Sequence, residues 1–468
     1  MSLIKSISGI RGTIGGVSGD NLTPFELVKF VAAYSNLLKQ KNPQKQKLKV
    51  VVGRDARISG EMLNRIVSGT LMSMGIDVED VGLSTTPTVE MQVLHSDADG
   101  GIIITASHNP YQWNALKLLN EKGEFLSEKE GEKIVKTSED ETIVFSNVDH
   151  LGKVYQQNDA IENHIQKILE LKLVNVEAIR KRNFKVVIDC VNSTGGLALP
   201  PLLKSLGVND IHVLYGEPTG KFPHNPEPLP EHLHEICNTI KNTKADVGFV
   251  VDPDVDRLAI IQEDGTTFGE EYTLVAVADY VLQNTVGNTV SNLSSSKALS
   301  VVTEKHGGNY VASAVGEVNV VEKMKETHAI IGGEGNGGVI YPELHYGRDA
   351  LVGIALFLSY LAKLNISCSQ LRNKFPNYFI SKNKIELNEK IDVDNILLYI
   401  KDKYKNNPLI DIDGVRIDFD DEWVHLRKSN TEPIIRIYAE SKSEKKANEL
   451  AQRIIKDVEM YVDTIKIN

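Results

Sequence analysis

Val247-Gly248-Phe249-Val250-Val251-Asp252-Pro253-Asp254-Val255-Asp256-Arg257 decides the fold class. An apolar run without alternation leads straight into carboxylates at alternate positions. A run of this kind reads as a strand covered on both faces, as in a sheet flanked by helices. Residues 48–52, 101–105, 184–189 and 329–331 have the same character and alternate with helix-like stretches. The chain is therefore expected to be an α/β protein.

Two segments echo each other. Residues 49–52 lead into a turn, a helix-like stretch ending at Gly75 and a strand at 76–78; residues 185–188 lead into a turn, a helix ending at Gly207 and a strand near 211–214. Duplicated α/β units would give this order, although any two strand–helix–strand units share it. Two polar stretches, 136–147 and 373–384, are candidate linkers. Beyond the second, a Lys- and Asn-rich segment with a strand–strand–helix ending fits a compact α+β domain of about ninety residues.

The chain has 468 residues, 41% hydrophobic and 25% charged, which excludes general disorder and leaves room for several domains. Its net charge of −11 argues against a duplex nucleic-acid partner, which needs a basic footprint. It does not argue against anionic small substrates, because a local Arg cluster binds phosphate whatever the total charge. Cys190, Cys237 and Cys368 are too few and scattered for a disulfide framework or a Cys-based zinc site. The N-terminus lacks a signal-peptide layout, and no apolar run approaches the roughly 18 residues of a membrane span. A cytoplasmic protein with no membrane partner is expected.

Four patches carry chemistry. In the opening segment, Asp252, Asp254 and Asp256 in one tight loop would repel strongly without a cation, and oxygen ligands select Mg²⁺ or Ca²⁺ over zinc. An EF-hand loop is excluded by Arg257 where glycine is needed and by flanking strands. In Thr105-Ala106-Ser107-His108-Asn109-Pro110, Ser107 lies just past a strand's C-terminal end, where open α/β sheets place ligands. It reads as a nucleophile or a phosphate carrier; no Gly-x-Ser-x-Gly elbow supports a hydrolase, and a polar turn is the bland alternative. Gly332-Gly333-Glu334-Gly335-Asn336-Gly337-Gly338 reads as a loop whose Glu334 and Asn336 alternate and face sugar hydroxyls, and equally as a flexible hairpin. Arg427-Lys428-Ser429-Asn430-Thr431-Glu432-Pro433-Ile434-Ile435-Arg436 places two Arg, two hydroxyls and an amide between two strands, an anion cradle. A serine, a hard-metal loop, a hydroxyl reader and a phosphate cradle are what phosphoryl transfer on a sugar phosphate requires.

With Ser8-Gly9-Ile10-Arg11-Gly12-Thr13 and Gly53-Arg54-Asp55, these patches resemble the α-D-phosphohexomutases over essentially the whole chain and in family order. The resemblance implies three related α/β domains plus a smaller α+β C-terminal domain around a central cleft, here residues 1–153, 154–257, 258–375 and 376–468. It implies that Ser107 is carried as a phosphoserine and completes the shell of one Mg²⁺ with Asp252, Asp254 and Asp256. It further implies a hexose 1,6-bisphosphate intermediate, also the activator, which reorients and returns its other phosphate to Ser107. By position, Arg11 and Lys117 act beside the phosphoserine, His108 transfers protons and Arg257 contacts the substrate or bridging phosphate. Glu334 and Asn336 read sugar hydroxyls, and Arg427, Ser429, Asn430, Thr431 and Arg436 hold the distal phosphate. Ala115 stands where many members have Gly.

An amide at Asn336 and the acid in Val315-Gly316-Glu317 resemble the amino-sugar branch, so interconversion of glucosamine 6-phosphate and 1-phosphate is expected, with mannose or glucose phosphates as the alternative. Glu317 would face a C2 ammonium by a charge-assisted hydrogen bond. A monomer or homodimer is expected. A metal-dependent sugar phosphatase leaves Ser107 without a role, and a sugar-phosphate-binding protein does not need Ser107 and three Asp together.

Overall fold

The computed structural model describes residues 2–6, 9–140, 142–386, 392–428 and 434–467. The chain divides into two compact units, one drawn from residues 1–281 and 336–372, the other from 282–335 and 373–468.

The first unit contains two sheets. In the seven-stranded sheet the order is Ile4–Ser6, Gly9–Thr13, Trp113–Leu119, Gly100–Ile104, Lys49–Arg54, Asp77–Leu83, Val154–Gln156. Lys49–Arg54 is parallel to both Gly100–Ile104 and Asp77–Leu83, while Trp113–Leu119 is antiparallel to its neighbours. Because parallel strands end at the same edge, the turns after Arg54 and Ile104 emerge side by side. The four-stranded sheet runs Leu258–Gln262, Val247–Val251, Lys185–Asp189, Asp210–Leu214, with only the first pair antiparallel. Every residue of Gly100–Ile104 and Val247–Val251 is buried, as their unbroken apolar character requires. Each buried Val or Ile there stabilises the fold by about 1.5–3 kcal/mol relative to exposure.

The echo in the sequence is a shared local structure. The helix Gly60–Ser73 ends at Gly75 with φ of +75°, and Ile76 N–H donates to the Leu71 carbonyl at 3.0 Å. The helix Gly195–Ser205 ends at Gly207 with φ of +90°, and Val208 N–H donates to Leu203 at 2.9 Å. This is the glycine-terminated cap that turns a helix sharply into the next strand. The second unit repeats it: helix Ala298–Lys305, Gly307 with φ of +77°, and Gly308 N–H to Thr303 at 3.0 Å. Three α/β units thus share one turn.

In the second unit, Asn288–Asn292 is parallel to Tyr310–Ser313 and to Ala329–Glu334. A five-stranded antiparallel sheet follows in the order Phe379–Glu386, Ile434–Ser441, Trp423–Lys428, Val415–Asp418, Leu409–Ile410. Its apolar face packs Ile417, Val424, Ile435 and Ile437 against Ile396 and Ile400 of helix Val393–Lys403 and Ile454 and Val458 of helix Glu444–Ile467.

One expectation needs correction. The glycine-rich segment is not a loop from Gly332 onward, because the strand Ala329–Glu334 continues through both glycines. A side chain at Gly332 would meet Met324 Sδ at 2.5 Å and the Val290 carbonyl at 2.7 Å, so glycine there serves sheet packing. The strand–strand–helix ending is Trp423–Lys428, Ile434–Ser441 and Glu444–Ile467, and the polar-looking residues 379–386, which begin inside the second candidate linker, add a further strand. Among the described residues, no helix is long and apolar enough to cross a membrane.

Candidate active site

Ser107 leaves the buried strand Gly100–Ile104 with φ of +47°, a left-handed conformation that non-glycine residues adopt rarely. Its N–H donates to Thr105 Oγ1 at 2.9 Å and its carbonyl accepts from Arg57 Nη2 at 2.5 Å. Its hydroxyl donates to Asp252 Oδ2 at 2.7 Å, and His108 Nδ1 lies 3.3 Å from the same Oγ. A side chain held at both ends of its peptide and aimed at a carboxylate is preorganised for chemistry at Oγ.

Asp252, Asp254 and Asp256 are fully buried, and each offers an oxygen within 4.8 Å of the others. The loop achieves this through Val255, whose φ of +63° is strained for a β-branched residue. Burial, followed by the charges of Asp256 and Asp254, pushes the Asp252 carboxyl well above its usual range. Burial also works against ionising Asp256, but Arg348, Lys117 and Arg257 outweigh it and hold that carboxyl low. Arg348 Nη2 is 2.7 Å and Lys117 Nζ 3.2 Å from Asp256 Oδ2, and Lys117 Nζ is 2.7 Å from Asp254 Oδ2. Burial opposes the Lys117 ammonium too, yet these carboxylates raise its pKa. Thr86 completes the support, its hydroxyl donating to Asp254 Oδ2 at 2.6 Å and its N–H to the Asp254 carbonyl at 2.8 Å.

Two buried oxygens, Asp254 Oδ1 and Asp256 Oδ1, accept no hydrogen bond from the described residues. Each such orphan costs about 1–3 kcal/mol, more for a charged group. A buried carboxylate-only set with two unpaired oxygens fits a hard divalent cation.

Around this centre, the Arg257 N–H donates to Asp252 Oδ1 at 3.2 Å and its Nη1 to Glu227 Oε1 at 3.2 Å. His108 Nε2 lies 3.8 Å from the same Glu227 oxygen. Burial, then the cation Arg257, depresses the His108 pKa well below its usual value, so the imidazole is neutral near pH 7. Arg11 sits on the strand Gly9–Thr13 opposite Ala115, on the strand that carries Lys117. Burial and Arg257 both lower its pKa, which places a second guanidinium in the same electrostatic neighbourhood. The first unit thus gathers Arg11, Ser107, His108, Lys117, Arg257 and the three Asp.

Asn336 belongs to this unit as well, but its Oδ1 accepts the Gly338 N–H at 3.2 Å and so serves its own turn. In the second unit, Glu334 Oε1 accepts from Asn292 Nδ2 at 2.8 Å and from Gly316 N–H at 3.3 Å. Glu317, at the start of the helix Glu317–Thr327, is buried. Arg427 and Arg436 are direct cross-strand partners, and Lys384 pairs with Arg436 on its other side. Like charges placed opposite one another are destabilising unless an anion joins them. Arg427 Nε is buried without a hydrogen-bond acceptor among the described residues, and Asp413 Oδ2, 3.9 Å from Arg427 Nη1, accepts the Val315 N–H at 3.0 Å. Ser429, Asn430 and Thr431 lie outside the described residues.

Sequence reasoning passed over Arg57, Thr86, Arg348, Lys384 and Asp413. The Arg348-Asp349 pair, directly before a long apolar helix, was the best available signal: Asp349 Oδ1 caps that helix by accepting from Leu351 and Val352.

An α/β scaffold with a buried serine beside a carboxylate triad is that of a phosphoryl-transfer enzyme. The chain belongs to the phosphoglucomutase/phosphomannomutase family. Residues 4–143, 162–265 and 269–379 match its alpha/beta/alpha domains I, II and III, and residues 383–457 match its C-terminal domain. It is a phosphohexomutase, an isomerase of hexose phosphates. It is 39% identical to a phosphoglucomutase/phosphomannomutase of Thermococcus kodakarensis, covering 96% of this chain and 98% of the relative. It is 34% identical to a phosphoglucosamine/phosphogalactosamine mutase of Sulfurisphaera tokodaii, covering 98% and 100%. A solved phosphoglucomutase/phosphomannomutase family protein of Burkholderia thailandensis superposes with a TM-score of 0.83 at 26% identity, covering 97% of each chain.

Proposed function

We propose that this phosphohexomutase transfers a phosphoryl group between O6 and O1 of a hexose phosphate through a phosphoserine at Ser107. Glucosamine phosphate is the favoured substrate on this reading. The observation that carries it is Ser107 Oγ, held 2.7 Å from Asp252 Oδ2 in a strained turn at a buried triad. Phosphoserine 107 gives its phosphoryl to the free sugar hydroxyl: the P–Oγ bond breaks and a new P–O bond forms. The resulting 1,6-bisphosphate reorients and its other phosphoryl returns to Ser107, while trace bisphosphate primes unphosphorylated chains.

Neutral His108, 3.3 Å from Oγ, takes the proton of the attacking sugar hydroxyl and delivers it to the Ser107 oxygen as the P–Oγ bond breaks. Lys117 and Arg11 neutralise the transferring group, and Arg257 contacts the substrate or bridging phosphate. Asp252, Asp254, Asp256 and the serine's phosphate would hold one Mg²⁺ per chain, which when bound stabilises charge on the transferring phosphoryl. Glu317 and Glu334 read the sugar with Asn336, and Arg427 and Arg436 hold the distal phosphate with Ser429, Asn430 and Thr431. Residues 1–153 would carry the serine, 154–257 the metal loop, 258–375 the sugar loop and 376–468 the phosphate loop. Three free cysteines suit a cytoplasmic setting.

A buried acid at Glu317 and the similarity to the phosphoglucosamine/phosphogalactosamine mutase of Sulfurisphaera tokodaii favour the amino sugar. The test is relative kcat/KM for glucosamine, mannose and glucose 6-phosphates with Mg²⁺ and trace bisphosphate. A glucosamine preference of about tenfold, roughly 1.4 kcal/mol of discrimination, supports the substrate assignment. Mannose or glucose winning assigns the chain to general hexose phosphate turnover.

A further inference from the structure

We propose that Arg57 is a positioning residue for phosphoryl transfer: through the main chain of residues 107–113 it sets the direction in which the Ser107 hydroxyl points. The inference rests on Ser107 as the phosphoryl carrier.

A guanidinium has five N–H donors. Arg57 is 1% exposed and spends all five inside the protein. Its Nε donates to Asp55 Oδ2 at 3.1 Å. Nη1 donates to the carbonyls of Pro110 at 2.7 Å and Trp113 at 3.0 Å. Nη2 donates to those of Ser107 at 2.5 Å and Asn109 at 2.6 Å. The Phe222 ring covers the guanidinium, 5.1 Å from Cζ to its centroid. One planar group therefore fixes four carbonyls of a single turn.

The other side of Ser107 is held by the same pair. Asp55 Oδ2 accepts the Thr105 hydroxyl at 2.7 Å, and Thr105 Oγ1 accepts the Ser107 N–H at 2.9 Å. Arg57 and Asp55 thus grip the peptide groups before and after Ser107 and maintain its φ of +47°. A turn needed only as a connection would relax that strain or use glycine; here the strain sits on the residue that reacts. Lysine cannot replace this clamp, because a compact ammonium cannot span four carbonyls in one plane.

A misplacement of about 1 Å at a reacting atom costs on the order of 100-fold in rate. The test uses the full chain with Mg²⁺. Wild type, Arg57→Lys and Arg57→Ala are compared for kcat, KM, Tm and the mass gained at Ser107 on incubation with glucose 1,6-bisphosphate. We expect kcat to fall about 100-fold in both variants with KM within twofold, and Ser107 phosphorylation to slow in parallel. Added guanidinium ion should recover at least tenfold of the Arg57→Ala rate without raising its Tm. Should Arg57→Ala fail to fold, Arg57→Lys alone decides through its kcat against its KM. A kcat within threefold of wild type in a folded variant overturns the proposal. So does a loss that tracks Tm and shows no guanidinium recovery, which would make Arg57 a stability residue only. Failure of wild type to gain mass at Ser107 would instead overturn the phosphoserine reading.

Discussion

Replacing Lys117 with methionine removes one of the cations that balance the buried triad while keeping most of its length. Lys117 Nζ bridges Asp254 at 2.7 Å and Asp256 at 3.2 Å, and both carboxylates are fully buried. Breaking a buried ion pair by removing one partner costs about 3–5 kcal/mol, because a charge is left uncompensated. The Lys117 side chain is 16% exposed, so the lower figure, about 3 kcal/mol, is appropriate. At about 2–4 °C per kcal/mol, Tm in chelator should drop by roughly 6 °C or more. A divalent cation supplies the missing charge, so saturating Mg²⁺ should restore much of that loss: binding at about 100 times Kd is worth about 2.7 kcal/mol. The assay is thermal unfolding of wild type and Lys117→Met, each in chelator and in Mg²⁺. A variant that loses less than about 2 °C in chelator, or that gains no more from Mg²⁺ than wild type does, would refute the charge-balance argument.

Thr86→Val deletes the hydroxyl that donates to Asp254 Oδ2 at 2.6 Å at nearly constant volume. A hydrogen bond to a charged group contributes about 1.5–3 kcal/mol, so metal-free unfolding should shift by that amount. Arg427→Ala should lower kcat/KM about 10- to 100-fold by removing a charge-assisted contact to phosphate, while leaving Mg²⁺ stabilisation of the first unit intact. For Asp349, burial alone would raise the pKa, but His164 at 3.0 Å and His345 at 3.4 Å hold it well below the usual carboxylate value. A depressed folded pKa means that the stabilisation is present above the unfolded value of about 3.9 and is lost as pH falls below it. Wild type should therefore lose stability steeply below about pH 4, and Asp349→Asn should flatten that part of the profile measured by denaturant unfolding.

What the sequence made legible was contiguous. The strands Val247–Val251 and Gly100–Ile104 are unbroken apolar runs because both faces are covered, and the triad lies within five residues of one loop. Ser107 stood out by its place at a strand end. The rest depends on partners distant in sequence. Arg57 looks like a surface residue until its acceptors at 107–113, some fifty residues away, close over it. Arg348 meets Asp256 across 92 residues. The third glycine-capped unit was hidden because its strand, Asn-Thr-Val-Ser-Asn at 288–292, is polar in composition although largely buried. The alternation of Glu334 and Asn336 was legible, but not that Glu334 ends the strand Ala329–Glu334 while Asn336 lies in the turn after it, its Oδ1 accepting the Gly338 N–H.

The most direct test of the account follows one phosphoryl group. The purified chain is incubated with labelled glucose 1,6-bisphosphate and Mg²⁺, then digested, and the labelled peptide is sequenced before and after a chase with unlabelled hexose 6-phosphate. The account predicts one label per chain at Ser107, discharged by the chase into hexose 1,6-bisphosphate and absent from Ser107→Ala. Label on another residue, or full mutase turnover by Ser107→Ala, would contradict it.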